Sequence, residues 1–281
     1  MGRFKYAYNS FSYYGEEIGR SIERVAAFGY DAIELVGEPD QYDAERVRRL
    51  AADAGIAVSS VSSMYTADRD LSNPDPAVRR DAVGYVRAVV DLAAATGAAT
   101  VIVAPSAVMK TAPLAARDDE RRWALEGIRE GGEYAASLGV NVALEPWNRY
   151  ETYFLNRLEQ AVELWRELGL RNGGVMGDTF HMNIEEASIA DALRSAGGLL
   201  THVHLADSNR AVAGRGHTDF LPILQALVEI GYDGYLSFEV MAPSGDPMGI
   251  PAGAGPESFD ADTKQAIEHL KAIEREVVGR P

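Results

Sequence analysis

Four residues near the ends of predicted strands could together bind a divalent cation. The segments Asn-Val-Ala-Leu-Glu, Gly-Val-Met-Gly-Asp, Thr-His-Val-His-Leu and Tyr-Leu-Ser-Phe-Glu-Val carry, in this order, Glu145, Asp178, His204 and Glu239. Side chains alternate between the two faces of a strand, and in the first, third and fourth segments the polar residue lies opposite the large apolar ones. Three carboxylates that converged would repel and desolvate one another unless a cation lay between them.

The composition of this ligand set indicates which metal it would bind. The chain has no cysteine, so a metal has only His, Asp, Glu and water as ligands. Three carboxylates and one imidazole form a rather hard ligand set, which favours Mn²⁺, Mg²⁺ or Co²⁺ over the zinc of cysteine-rich sites. Each acid alone could be an ion-pair residue at a strand end. Because acids are seldom buried unpaired, the same placement in four consecutive strands favours a metal site.

A second group of polar residues follows the same strands by a few positions. Glu151, His181 and Arg210 lie just beyond the strand ends, a placement that suits contacts to substrate hydroxyl groups. Other polar residues nearby have simpler interpretations. We expect Arg149 to be a surface charge, Glu186 to be the capping-box partner of Asn183, and His202 to be a buried hydrogen-bonded residue.

The elements that would position these residues repeat along the chain. Eight short segments rich in β-forming residues are each followed by a stretch with helical periodicity, and they cover 4–9, 32–36, 57–62, 100–104, 141–145, 174–178, 200–205 and 235–240. Such alternation predicts an α/β fold, a single (β/α)8 TIM barrel over residues 1–281, with its active site at the C-terminal ends of the strands. Six helices should end at a left-handed glycine, namely Gly29, Gly55, Gly97, Gly139, Gly169 and Gly231. Residues 243–256 should form a long loop over the barrel mouth.

Charge and hydropathy exclude several classes of partner. Lys and Arg number 27 and Asp and Glu number 42, for a net charge of −15. A chain with this balance repels a phosphate backbone, so nucleic acid is not an expected partner. No apolar run approaches the roughly 18 residues of a membrane span, and we expect no membrane partner and a cytoplasmic location. We also expect a homo-oligomer, a dimer or a tetramer.

Four longer motifs resemble those of the ketose 3-epimerases of the tagatose/allulose type, within the xylose-isomerase-like barrel superfamily. The most specific is Asp-Thr-Phe-His-Met-Asn-Ile-Glu-Glu at 178–186, and the others are Leu-Glu-Pro-Trp-Asn-Arg-Tyr-Glu at 144–151, His-Val-His-Leu-Ala-Asp-Ser-Asn-Arg at 202–210, and Gly-Tyr-Asp-Gly at 231–234 with the segment up to Glu239. The resemblance implies an isomerase of carbohydrate metabolism. It implies that Glu145, Asp178, His204 and Glu239 bind a divalent ion, usually manganese or cobalt.

The resemblance also implies roles in the reaction. Glu145 and Glu239 would exchange the proton at carbon 3 of a ketose through an enediolate, and Glu151, His181 and Arg210 would hold the first three oxygens of the sugar. The chain departs from the family pattern at two places. It has Val-Met after Glu239 where the family usually has Pro-Phe, and it lacks aromatic residues in the segment 105–110 after the fourth strand. Both changes concern the choice of sugar.

Other functions remain open on the same residues. A related metal-dependent sugar isomerase, a keto-inositol enzyme or a keto-glycoside eliminase would keep the barrel and the metal. A metal-dependent endonuclease would need a basic DNA-facing surface, which a net charge of −15 opposes. A sugar sensor without catalysis would bind a sugar but would not exchange its protons.

Overall fold

Eight parallel strands close into one barrel in chain order. The computed structural model describes residues 4–241 and 255–279. Each strand pairs with the next, and the last pairs with the first. The strands are β1 Lys5–Asn9, β2 Ala32–Gly37, β3 Ala57–Ser63, β4 Thr100–Val103, β5 Asn141–Leu144, β6 Gly173–Asp178, β7 Leu200–Leu205 and β8 Tyr235–Phe238. Every predicted strand is confirmed to within two residues, and with them the (β/α)8 TIM barrel.

Helices surround the barrel and connect its strands. They are α1 Ile18–Ala27, α2 Ala44–Asp53, α3 Pro76–Thr96, α4 Arg117–Ser137, α5 Leu158–Leu168, α6 Thr179–Glu185, α7 Ile189–Ala196, α8 Phe220–Glu229 and α9 Pro256–Val278. All six glycines predicted to end helices have a positive φ, between 69° and 84°. Several helices begin at an acidic side chain that accepts a backbone N–H: Asp75 caps α3 and Asp219 caps α8.

Two separate clusters of apolar side chains fill the fold. The large one lies between the sheet and the helices and takes the outward-facing residues of the strands, such as Val142 and Leu144. The small one consists of Ile102, Ala143 and Met176, whose side chains alternate with the outward-facing ones and therefore fill the inside of the barrel at β4, β5 and β6. Elsewhere the interior includes several polar side chains that contact one another, namely Asn9, Glu34, Ser60, His204 and Ser237.

Two register shifts interrupt the barrel close to polar interior residues. Ile33 pairs with Val58 but Leu35 pairs with Val61, so β3 has one extra residue opposite Glu34. Between β6 and β7 the register shifts in the same way, just before His202. A β-bulge re-aims the side chains next to it and is often found beside active sites.

Two further predictions concern the loop after β8 and the absence of a membrane span. Most of the loop predicted at 243–256 lies outside the described residues. Among the described helices, none combines the length and the apolar character that crossing a membrane requires.

Candidate metal centre and active site

The four predicted ligands come together at the C-terminal end of the barrel. Asp178 ends β6 and pairs in register with His204 of β7, while Glu145 and Glu239 follow the last residues of β5 and β8. From Nδ1 of His204, the nearest oxygens of Glu145, Asp178 and Glu239 are 3.7, 3.9 and 3.5 Å away. One ligand atom from each of the four residues lies within 4.8 Å of the others.

These atoms fit a divalent cation. Oε1 of Glu145, Oδ2 of Asp178 and Nδ1 of His204 are buried, and none has a hydrogen-bond partner in the described part of the chain. Atoms separated by 3.5–3.9 Å are too far apart to bond one another and are spaced as ligands around a central ion with bonds of about 2.0–2.4 Å. A cation would give each buried atom the partner that it lacks.

The charges within the cluster shift the pKa values of its acids in opposite directions. Burial raises the pKa of the Glu145 carboxyl well above its usual value. Burial, and then the charge of Glu239, raises the pKa of Asp178 to about 6. Burial also acts to raise the pKa of Glu239, but the charges of His204 and Arg210 lower it to about 2. Two of the three carboxylates are thus disfavoured as anions, and a divalent cation would reverse this.

The three predicted substrate contacts lie together beside the cluster. Arg210 places one guanidinium nitrogen 3.2 Å from Oε1 of Glu151 and another 3.3 Å from Oε2 of Glu239. Nε2 of His181 lies 3.6 Å from Oδ2 of Asp178. Burial and the charge of Arg210 hold the pKa of His181 well below its usual value, which favours the neutral ring, with one nitrogen that donates a hydrogen bond and one that accepts.

Arg210 is held in an unusual backbone conformation. Its φ is +62°, in the left-handed region that non-glycine residues rarely adopt. Its N–H donates to the carbonyl of Asp207, and its carbonyl accepts from Met241. The guanidinium also lies over the ring of Phe180, 4.8 Å from the centroid. A strained residue held by several contacts beside a polar cavity is typical of a functional site.

The cluster opens into a cavity with a mixed lining. Its wall includes hydroxyl groups, aromatic rings and apolar side chains, contributed by Phe11, Ser62, Ser63, Met64, Tyr65, Thr66, Val108, Glu145, Trp147, Glu151, Arg210, Glu239 and Met241. A few convergent polar groups within an otherwise apolar wall are typical of a site for a small polar molecule.

Two side-chain predictions near the site have different outcomes. Arg149 is a surface charge as expected, with 62% of its side chain exposed, and it pairs with Glu185. The capping box at Asn183 is wrong, because α6 begins earlier and Asp178 caps it by accepting the N–H of Phe180. Glu186 instead accepts the N–H of Leu158 at the start of α5.

Three residues of the site were missed by the sequence reasoning. Asn148 donates to Glu151 and lies 2.8 Å from Nδ1 of His181, so it links two predicted substrate contacts. Glu34 and Asn9 lie beneath the four predicted ligands, both fully buried. Glu34 had a readable signal: it is an acid inside the apolar segment Ala-Ile-Glu-Leu-Val, with the same alternation that identified Glu145. His202, predicted to be buried, lies 2.8 Å from Glu34.

Comparison with known proteins agrees with this architecture. Residues 22–273 match the family model described as a xylose isomerase-like TIM barrel. A D-psicose 3-epimerase of Ruminiclostridium cellulolyticum is 32% identical over 269 residues, which are 90% of each chain. The solved structure of D-psicose 3-epimerase with D-tagatose from Clostridium cellulolyticum H10 superposes with a TM-score of 0.87 and 28% identity, covering 96% of this chain and 99% of that one.

A relative with a different named activity is also similar. The 3-dehydro-D-guloside 4-epimerase of Escherichia coli K12 is 28% identical over 84% of this chain and 92% of its own. These relatives are epimerases, which are isomerase-class enzymes. The chain belongs to the xylose isomerase-like TIM barrel family, among the relatives of the ketose 3-epimerases.

Proposed function

We propose that this protein is a divalent-metal-dependent ketose 3-epimerase in which Glu145 and Glu239 exchange the proton at carbon 3. One observation carries the proposal. The two glutamates directly follow two strands that are not neighbours in the barrel, β5 and β8, and both face Nδ1 of His204, at 3.7 and 3.5 Å. A sugar bound between them would have one carboxyl group on each face of its reacting carbon.

Inversion of a carbon next to a carbonyl requires this arrangement. One glutamate, as a carboxylate, takes the proton from carbon 3, and the electron pair of the broken C–H bond moves toward the carbonyl to give an enediolate. The other glutamate, as a carboxylic acid, returns a proton to the opposite face. The two glutamates exchange roles for the reverse reaction, and their protons equilibrate with water between turnovers. Substrate and product are isomers, so no oxidant or reductant is consumed.

The remaining residues hold the ion and the sugar. Glu145, Asp178, His204 and Glu239 would bind the ion, which we propose to be Mn²⁺, with Co²⁺ or Mg²⁺ as alternatives. When bound, the ion supplies Lewis acidity, which draws electron density from the carbonyl and makes the neighbouring C–H bond more acidic. Glu151, His181 and Arg210 would hold the first three oxygens of the sugar, because His181 lies beside Asp178 and the other two line the cavity.

A second candidate substrate is a keto-glycoside, with the proton exchanged at the carbon next to its ketone. It is favoured by the similarity to the 3-dehydro-D-guloside 4-epimerase. It is also favoured by the cavity wall, where Val108 and Met241 stand near the places at which the ketose 3-epimerase pattern has aromatic residues. The same two glutamates would act on either substrate.

Proton exchange in deuterated water tests the proposal. The Mn²⁺-loaded protein is incubated in D2O with free ketoses and, separately, with keto-glycosides, and the products are analysed by mass and NMR. We expect solvent deuterium at the inverted carbon. Glu145→Gln and Glu239→Gln should each lower net epimerisation by at least about 100-fold, the smaller effect expected on losing a general acid or base.

A matched variant controls for the loss of a carboxylate. Glu229 is exposed and pairs with Arg194 on the outer surface, so Glu229→Gln should keep wild-type activity. Inversion without deuterium label, with both glutamine variants active, would replace proton exchange by a redox or retro-aldol route. Binding of sugar without any label or turnover would make the protein a sensor.

A further inference from the structure

A second buried polar cluster lies directly beneath the candidate metal centre. Glu34 of β2 is fully buried, and its two oxygens face the two histidines of β7. Oε1 lies 2.8 Å from Nε2 of His204, and Oε2 lies 2.8 Å from Nε2 of His202. The N–H directions depart from the line to these oxygens, so each is a close contact of an imidazole nitrogen with a carboxylate rather than a linear hydrogen bond. His204 therefore has the metal ligands on one side and a carboxylate on the other.

The carboxylate is itself held in place by three donors. Nδ2 of Asn9 donates to Oε1 at 2.7 Å, and Oγ of Ser237 donates to the same oxygen at 3.1 Å. Oγ of Ser60, turned inward at the bulge of β3, donates to Oε2. Asn9 cannot be turned the other way round, because its Oδ1 accepts the N–H of Phe11. These donors come from three different strands, so Glu34 is fixed by the barrel itself.

The cluster of Glu34 and the two histidines is better explained as a support than as a second metal site. Neighbouring ligands on a tetrahedral ion with bonds of about 2.0–2.1 Å stand about 3.3 Å or more apart. Here each imidazole nitrogen lies only 2.8 Å from a carboxylate oxygen, which is the distance of direct contact. The oxygens are already taken by Asn9, Ser60 and Ser237.

We propose that Glu34 is a positioning residue that prepares His204 to bind the metal ion through Nδ1. A nitrogen lone pair facing a carboxylate at 2.8 Å would be repelled, whereas an N–H is attracted, so Nε2 carries the proton. Nδ1 is then left with its lone pair directed at Glu145, Asp178 and Glu239. Carboxylates placed behind metal-bound histidines act in this way in other proteins. The inference rests on the proposed metal centre and deepens it.

The same carboxylate also reaches a second ligand. Nδ2 of Asn9 donates both to Oε1 of Glu34 and, at 3.2 Å, to Oε1 of Glu239. Asn9 thus joins the support to the glutamate that is proposed to exchange the proton. Glu34 therefore orients two of the four ligands, one directly and one through a single amide.

Metal binding without any sugar tests this role. Glu34→Gln keeps the size of the side chain and removes its charge. We expect its affinity for Mn²⁺ and Co²⁺, measured by competition with a chelator, to fall about 10- to 100-fold. The visible absorption spectrum of the Co²⁺-loaded variant should also change, since the ring of His204 is no longer held at the same angle. Because no turnover is measured, the outcome does not depend on which reaction the enzyme catalyses.

A control variant separates this role from a general effect on folding. Glu274 is a buried carboxylate at the opposite end of the barrel, where it accepts the N–H of Phe4. Glu274→Gln should lower stability but leave the Co²⁺ spectrum and the metal affinity unchanged. If Glu34→Gln does not fold, Ser237→Ala, which removes one donor to Oε1, should weaken metal binding about 2- to 10-fold.

Three results would overturn the inference. The first is a folded Glu34→Gln variant that binds Co²⁺ with wild-type affinity and spectrum. The second is wild-type affinity in Ser237→Ala when the glutamine variant cannot be folded. The third is two bound ions per wild-type chain, with the second lost in Glu34→Gln, which would make the lower cluster a metal site of its own. A centre that binds no metal in any variant would instead overturn the proposed function.

Discussion

Asp178 combines two tasks in one side chain. One of its oxygens accepts the N–H of Phe180 and begins α6, and the other is buried without a partner in the described residues and faces His204. The helix cap holds the carboxylate at the end of β6, beside the other proposed metal ligands. The cost is a buried negative charge, visible in the raised pKa of about 6.

The buried charge of Asp178 predicts how the stability of the metal-free protein depends on pH. The folded pKa of Asp178, about 6, lies above its usual value of 3.8, so the folded state binds this proton more tightly than the unfolded state. Ionisation of Asp178 therefore lowers the free energy of unfolding as the pH rises from about 4 to 6, and this loss is complete above about pH 6. Asp178→Asn keeps the helix cap and avoids the charge. In the presence of a chelator we expect it to be more stable than wild type by up to about 3 kcal/mol at pH 7.5 and by only about 1 kcal/mol at pH 4.5.

Urea unfolding of both proteins at the two pH values measures the difference. Added Mn²⁺ should reverse the order at pH 7.5, since only the wild type retains all four ligands. A stability difference that does not change with pH would show that Asp178 is not buried as a charge.

Arg210 is proposed to contact the substrate without binding the ion. Its guanidinium bridges Glu151 and Glu239 and is only 19% exposed. Arg210→Ala should lower kcat/KM about 10- to 100-fold, because losing a polar partner from a desolvated site costs about 1–3 kcal/mol. The metal content should stay at the wild-type level. Arg149→Ala, which removes an exposed arginine from the same end of the barrel, is the control. Equal activities of the two variants would place Arg210 outside the substrate site.

The strands and helices of the barrel could be predicted from the sequence because each of them obeys local rules. Alternation identifies the inward face of β5, β7 and β8, and glycine marks the left-handed ends of six helices. The β-bulge in β3 could not be predicted in this way. The extra residue in β3 turns Ser60 toward Glu34, and no local pattern shows which two strands will be out of register.

The capping box at Asn183 failed for a related reason. Asp178 serves at once as the last residue of a strand and as the first cap of a helix. The prediction of a capping box at Asn183 assumed that a loop separates β6 from α6. Asn9 was missed because its importance depends on Glu34 and Glu239, which are 25 and 230 positions away.

The loops after β3, β4 and β5 are joined by one buried lysine. Nζ of Lys110 lies 2.8 Å from Asp70 and 2.8 Å from Glu120, and its backbone bridges to Thr152. These loops carry Val108 and other residues of the cavity wall. The ion-pair network therefore holds one side of the cavity in shape.

Removal of this lysine should be costly. Lys110→Met leaves two buried carboxylates without their cation, and we expect the free energy of unfolding to fall by about 3–5 kcal/mol. Lys264→Met removes an exposed lysine of α9, which has one weak pair at 4.0 Å with Glu268, and should change stability by less than about 0.5 kcal/mol. Chemical denaturation of the two variants provides the comparison. Similar losses would mean that the buried pairs contribute no more than a surface contact.

The net charge of the chain bears on which partners it can bind, and the closure of the barrel bears on how its strands are held together. The net charge of −15 opposes binding to nucleic acid and so weighs against the endonuclease alternative. Closure joins the first and last strands, because β1 and β8 are paired along four residue positions. A homo-oligomer and a cytoplasmic location stay predictions, the first of which light scattering can test.

Closure of the barrel and metal binding together predict a single unfolding transition, whose midpoint temperature rises when the metal binds. The four proposed ligands lie in, or directly after, four consecutive strands, β5 to β8, and β8 is paired with β1, so no part of the barrel can open without disturbing the others. A ligand that binds only the folded state stabilises it by about 4 kcal/mol at 1,000 times its Kd. We expect calorimetry to show one transition that shifts upward by several degrees with Mn²⁺, and no such shift in His204→Ala. Two transitions, of which only one responds to the ion, would contradict the prediction that residues 1–281 form a single domain.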